Sequence, residues 1–312
     1  MTAQPIEPGP DAPVVRVDAL TKRFETVTAL DDLTLELGRG IVGLVGANGA
    51  GKSTLIKILL GLLPATSGSV AVLGIDPAIH GTTLRQYVGY MPEHNVMPPD
   101  ISATELVAHL AQLSGLPSAA ARERTSDVLR HVGLAEERYR PIGGYSTGMR
   151  QRAQLAQAIV HDPRLLLLDE PTNGLDPSGR DEMLDLIQRT GQEFGITVIL
   201  ASHLLGEIEQ VCDFLVAIDA GKLLRADAMT AFTAETGILT VEVEHGRDAL
   251  VAALTARGVR ATAAPADGDA RALQVALDGI EPYDLIRDAV AELELPLIRI
   301  ENRRHTLEDL FR

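Results

Sequence analysis

The sequence has one cysteine, Cys212, and no tryptophan, and aromatic residues make up only 3% of its 312 positions. A single thiol cannot close an internal disulfide, which excludes a secreted disulfide scaffold and fits a reducing compartment. Cys212 itself reads as a small buried hydrophobe. Positive charge is scarce too: 28 lysines and arginines stand against 43 aspartates and glutamates, for a formal charge of −15. Such a chain repels nucleic-acid phosphate and anionic lipid at long range, so no nucleic-acid partner is expected. No apolar run approaches the roughly 18 residues that a membrane span requires. The start, MTAQPIEPGPDAP, has no basic segment followed by an apolar one and shows no secretory signal; residues 1–13 are expected to form a disordered tail.

What is present begins at Val14, where short strands start to alternate with helices, the pattern of an α/β fold. Residues 14–18 and 33–37 alternate with period two, as half-buried antiparallel strands do. Residues 41–45, 165–168, 198–200 and 214–218 are instead near-continuous apolar runs, as expected of strands covered on both faces. Residues 100–134 interrupt this order with two helices. The first opens on a Ser102–Glu105 capping spacing, places Leu106, Val107, Leu110 and Leu113 on one face, and stops at Gly115 and Pro117. Past residue 236 a second order follows: strand 239–244, helix 247–257, strands 259–263 and 271–277 about a turn at Asp267-Gly268, helix 283–292 and strand 296–301. That is βαββαβ, a ferredoxin-like arrangement. The expected organisation is a tail at 1–13, a main domain at 14–235 with a helical insert near 95–148, and an accessory domain at 236–312. At about 75 residues the last buries little surface unaided.

Gly46-Ala47-Asn48-Gly49-Ala50-Gly51-Lys52-Ser53 fits G-x-x-x-x-G-K-[ST], and it leaves an apolar strand and opens a helix, as the motif requires. Its glycines let backbone N–H groups turn inward around phosphates, the helix adds its positive end, and Lys52 adds a mobile charge. Ser53 is expected on Mg²⁺, with Thr54 beside it in the first helical turn. Gly38 to Gly43 also matches a dinucleotide fingerprint by count, but it precedes a strand and lacks the acidic residue about 20 positions on, so it reads as a turn. The run at 165–168 delivers Asp169 and Glu170 at a strand's carboxyl end, where ligands sit in open parallel sheets. Asp169 is expected to hold Mg²⁺ through water and Glu170 to take a proton from the attacking water.

Three more segments complete a pattern. Tyr145-Ser146-Thr147-Gly148-Met149-Arg150-Gln151-Arg152 resembles the signature loop of ATP-binding-cassette ATPases, Pro171-Thr172-Asn173-Gly174-Leu175-Asp176-Pro177 resembles their D-loop, and Ala201-Ser202-His203 resembles their switch histidine. Order and spacing agree over about residues 14–225, so the chain resembles the ATP-binding subunit of an exporter-type ABC transporter. The fold so implied is a P-loop NTPase cassette with an antiparallel β subdomain and a helical insert, followed by a small α+β domain. The resemblance implies a head-to-tail dimer, with itself or a paralogous cassette, around two Mg-ATP. Each ATP lies between the phosphate loop of one subunit (Gly46, Asn48, Gly49, Ala50, Gly51, Lys52, Ser53, Thr54) and the signature Ser146 and Gly148 of the other. His203 is implied at the γ-phosphate, Asp176 in coupling the two sites, and Phe24 against adenine.

Two departures stand out: the usual Leu-Ser-Gly-Gly-Gln reads Tyr-Ser-Thr-Gly-Met, and the switch-loop glutamine is Glu93. A carboxylate about 4 Å from another negative charge costs on the order of 4 kcal/mol at an effective dielectric near 20, so Glu93 must ligate Mg²⁺, be protonated or stand back. It is expected to sense Mg-ATP. The resemblance also implies a separate multi-span permease and a peripheral place on the cytoplasmic face of the membrane. The segment MPEHNVMPP (91–99) is apolar for a loop and suits a contact with such a partner. The last domain, ending Thr306-Leu307-Glu308-Asp309-Leu310, resembles that of multidrug, sodium or bacteriocin-immunity exporters, where regulation or dimer support is implied. A cytosolic ABC ATPase acting on ribosomes or DNA is the alternative. It is disfavoured by the single cassette, the acidic charge and the short distance between Lys52 and Ser146.

Overall fold

The structure, a computed structural model, describes residues 12–94, 97–232, 235–263, 271–276 and 282–304. Expectations for residues 1–11, for the Asp267-Gly268 turn and for the segment 306–310 lie outside the described residues. The chain divides into two compact units, the first running to Met229 and the second starting at Thr230, slightly ahead of residue 236.

The first unit begins with β1 (Val15–Arg23) and β2 (Thr28–Leu37), then β3 (Ile41–Val45), α1 (Lys52–Leu59), β4 (Ser67–Val72), α2 (Pro77–Leu84) and β5 (Val88–Met91). Helices α3 (Ala103–Leu113), α4 (Ser118–His131) and α5 (Thr147–Ile159) follow. It continues with β6 (Leu165–Asp169), α6 (Pro177–Phe194), β7 (Thr197–Ser202), α7 (Leu205–Val211), β8 (Phe214–Asp219) and β9 (Lys222–Ala228). Strands β2, β1 and β4 form an antiparallel sheet in that order, and β5-β6-β7-β3-β8-β9 form a six-stranded sheet that is parallel except for its β8–β9 edge. The apolar runs are buried as read: all five residues of β3 and of β6 and all six of β7 are buried. Each fully buried leucine among them contributes roughly 1.5–3 kcal/mol relative to exposure.

The helical insert opens on the capping box expected at Ser102. The Ser102 hydroxyl accepts from Glu105 N (3.2 Å), and the Glu105 carboxylate accepts from Ser102 N (2.8 Å). Leu113 departs from the expected apolar face and is 70% exposed. It is the last residue of α3, and the chain reverses at Gly115 (φ +100°), so nothing continues beyond it to cover the side chain. The 91–99 loop departs as well: Met91 and Met97 are buried, and Pro98 and Pro99 are exposed. Met91 ends β5, and Met97 packs inward while the two prolines stay on the surface.

Helix α8 (Met229–Phe232) starts on the last residue of the first unit, and the second unit continues through β10 (Glu235–Val243), α9 (Arg247–Ala256), β11 (Ala261–Ala263), β12 (Ala272–Ala276), α10 (Pro282–Glu292) and β13 (Leu297–Arg304). Its sheet order is β11-β12-β10-β13, antiparallel throughout, the ferredoxin-like order expected of two interleaved βαβ units. Leu239, Val241, Val243, Leu273 and Val275 alternate onto the face covered by Leu250, Leu254 and Ile286, which makes a small separate core.

Candidate active site

Parallel pairing brings three strand ends level. Val45 of β3 lies opposite Ser202 of β7, and Asp169 of β6 lies opposite Ala201. The chain leaves β3 into the phosphate loop, β6 into Glu170 and β7 into His203, so three segments far apart in sequence converge on one cavity of about 540 Å³. Residues 47–54, Glu93, Asp169, Glu170, Asn173 and His203 line it. Two loop positions accept only glycine. Gly51 has φ +109° and a β-carbon there would lie 2.5 Å from Ala29 O, while one on Gly46 would lie 2.2 Å from Ile218 O.

Lys52 is 6% exposed. Its ammonium donates to Gly46 O at 2.6 Å and lies 3.9 Å from Glu170 Oε1. Asp169 is 4% exposed; burial pushes its carboxyl up, the Ser53 hydroxyl bonded to it pulls down, and Glu93 pushes it up again. Its Oδ1 is buried without a hydrogen-bond partner among the described residues. Burial likewise pushes the Glu170 carboxyl up, opposed first by its hydrogen bond with His203. That bond is 2.8 Å, from His203 Nδ1 to Glu170 Oε2. An ionised carboxylate can only accept, so the imidazole donates through Nδ1. Glu170 itself holds φ +52°, uncommon for a residue with a β-carbon. The negative potential reaches Tyr90, whose phenol is pushed up to about 12 by burial and then by Asp169 and Glu93.

Glu93 lines the same cavity, and its Oε1 accepts from Asn173 Nδ2 at 3.2 Å. Asn173, a contact not anticipated from the sequence, also bonds Glu170 O through its backbone N–H (3.1 Å) and accepts from Gln151 Nε2 (3.2 Å) at its own carbonyl. It thus joins Glu93, the Glu170 turn and α5.

Besides Gly46, whose carbonyl accepts from Lys52, four expected nucleotide contacts stand apart from the cavity lining. Phe24 is 48% exposed, with the Lys22 ammonium 5.0 Å from its ring centroid, so it is not a core residue. Ser146 caps α5, its hydroxyl accepting from Met149 N at 3.2 Å. The helix therefore begins at Thr147, directly after its serine cap. Gly148 then falls in the first turn, among N–H groups that have no acceptor within the helix. Asp176 is the N-cap of α6, its Oδ1 accepting from Gly179 N at 3.3 Å.

A family model described as ABC transporter matches residues 30–173. The daunorubicin resistance ATP-binding protein DrrA3 of Streptomyces coeruleorubidus is 33% identical over 303 residues, covering 95% of this chain and 94% of that protein. The Nod factor export ATP-binding protein I of Ralstonia nicotianae is 32% identical over 312 residues (97% and 95%), and the bacitracin transport ATP-binding protein BcrA of Bacillus licheniformis 38% over 212 (68% and 68%). Among solved structures, cbiO1 of Clostridium perfringens, part of the ABC transporter complex cbiONQ, superposes with a TM-score of 0.65 at 26% identity over 70% of this chain and 90% of that one. The chain belongs to the ABC transporter family, as one of the ATP-binding subunits that hydrolyse ATP to drive transport.

Proposed function

We propose that this subunit works as half of a head-to-tail dimer around two Mg-ATP and drives export through a separate membrane permease. One observation carries the reading: Lys52, Asp169, Glu170 and His203 meet in one cavity, while Ser146 and Gly148 stay outside its lining. A site with a phosphate loop, a proton acceptor and no signature contact is complete only when a second cassette supplies the start of its own α5. Among the described residues no helix is long and apolar enough to cross a membrane, which supports a peripheral place on the cytoplasmic face. Relatives named for daunorubicin resistance and Nod factor export support the outward direction.

In this reading the loop N–H groups and Lys52 hold the phosphates, Glu170 takes the proton of the attacking water, and His203 orients the Glu170 carboxylate through its 2.8 Å bond. The free Oδ1 of buried Asp169, beside the Ser53 hydroxyl, suits a divalent cation that keeps most of its waters, and Glu93 is the third candidate ligand. Mg²⁺, when bound, neutralises charge on the β- and γ-phosphate oxygens. Phe24 is assigned to the adenine and Asp176 to coupling between the two sites. The unit from Thr230 onward is assigned to regulation or dimer support.

The test is Glu170→Gln in the full chain. With Mg-ATP it should accumulate as a dimer on size exclusion, while phosphate release falls by roughly 10²–10⁴. Hydrolysis at the wild-type rate would remove Glu170 from the mechanism. Purification from native membranes should bring down a multi-span protein, and recovery of the cassette alone would overturn the permease assignment.

A further inference from the structure

Glu207 is 6% exposed, and no motif in the sequence marks it. It is the third residue of α7, the position where an acidic side chain usually turns back to the N-cap backbone N–H. Here the N-cap is Leu204, and the carboxylate goes elsewhere. One oxygen accepts from Thr172 Oγ1 and the other from Ser202 Oγ, both at 2.7 Å. Thr172 is 2% exposed and Ser202 is fully buried, so all three groups are shielded from water. The Ser202 oxygen in turn accepts from Leu204 N at 3.0 Å, which fixes the turn that carries His203.

The positions of those hydroxyls give the contact its meaning. Thr172 stands two residues after Glu170, and Ser202 stands immediately before His203. The two segments already meet through Glu170 N and Ala201 O at 2.9 Å and through the Glu170–His203 hydrogen bond. Glu207, from a third element, closes a brace over both. A residue held at φ +52° persists where its surroundings over-determine it, and this brace supplies that constraint. We propose that Glu207 is a positioning residue for ATP hydrolysis, holding the Glu170 and His203 turns at the spacing their hydrogen bond needs. The proposal rests on the ATPase reading above.

A carboxylate is suited to this place because both hydroxyls can donate to it at once. In Glu207→Gln the amide nitrogen has no acceptor capacity, so one hydroxyl must rotate or part from it. Misplacement of reacting groups by about 1 Å can cost on the order of 10²-fold in rate. The hydrogen bonds of Lys52 go to Gly46 O and Ala47 O and not to the brace, so nucleotide binding should be spared.

Steady-state ATPase and ATP binding of the full chain decide the matter. Glu207→Gln should lower kcat at least tenfold, with KM for ATP within about threefold of wild type. In a His203→Ala background the same change should cost less than threefold, since the pair it positions is gone. Thr172→Val, of matching shape, should repeat the kcat loss, and Thr172→Ser, which keeps the hydroxyl, should restore turnover. This second pair decides the question if Glu207→Gln folds poorly. Unaltered kcat in Glu207→Gln, an equal loss of ATP binding, or a full multiplicative loss in the His203→Ala background would overturn the proposal alone. An inactive wild-type chain would overturn the ATPase reading and this proposal with it.

Discussion

At Glu170 the usual stability order of alanine and glycine should be reversed. Glu170→Ala and Glu170→Gly remove the same carboxylate and its bond to His203, so on the proposed role of Glu170 as proton acceptor both should hydrolyse ATP roughly 10²–10⁴ times more slowly. They differ by one β-carbon. At an ordinary backbone position alanine is the more stable by about 0.4–1 kcal/mol, because glycine leaves the unfolded chain freer. Glu170 sits at φ +52°, where a β-carbon crowds the backbone at a cost of about 1–2 kcal/mol. The strain outweighs the entropy and leaves glycine ahead by about 1 kcal/mol. For a unit of this size that is roughly 2–4 °C in Tm. Thermal and urea unfolding of the two variants without nucleotide measure it, and the comparison is clean because their activities match. An alanine variant as stable as the glycine variant, or more stable, would refute the claim that the site holds backbone strain.

Two further outcomes follow from packing and titration. Gly89→Ala puts a β-carbon 2.1 Å from the Ala158 carbonyl where α5 crosses β5, a backbone clash that should lower stability by about 1–3 kcal/mol in urea titrations; a change within about 0.5 kcal/mol would show that α5 can shift freely. The second concerns His131 of α4, which bonds Thr190 Oγ1 at 2.9 Å and approaches Glu193 at 3.3 Å. Burial lowers the imidazole's proton affinity, opposed by Glu193 and reinforced by Arg189 and Arg124. Because the unfolded chain then binds the proton first, stability should decline as pH falls through about 6.5, and His131→Gln should flatten that decline in melts between about pH 7.5 and 5.5. An unchanged slope would clear His131 of this role.

Much of this was legible in the sequence because the features are local. Continuous apolar runs specify strands buried on both faces, a serine and a glutamate three apart specify a helix start, and the glycine-lysine-serine loop specifies the turn from β3 into α1 that lines the cavity. Asp169 and Glu170 followed from the strand that ends in them. The clearer failures involve long-range neighbours. Leu113 has the periodicity of a core residue but no element to cover it, and part of the apolar character of 91–99 belongs to the end of β5 at Met91 and to buried Met97. Asn173 and Glu207 look like an ordinary turn residue and an ordinary surface acid of a short helix. Only the approach of β6, β7 and α7 reveals that one meets Glu93 and that the other bridges two hydroxyls.

The level strand ends of β3, β6 and β7 also decide how this chain can change in length. Side chains on a strand alternate between faces, so deleting one residue from β6 would turn a run of buried leucines over and withdraw Asp169 and Glu170 from the cavity in the same step. The three strands therefore admit substitution but no insertion or deletion. The α3–α4 insert lies outside that register, and so does every residue beyond Thr230. Lengthening or shortening in related chains is expected in those places, where it leaves the spatial arrangement of Lys52, Glu170 and His203 unchanged.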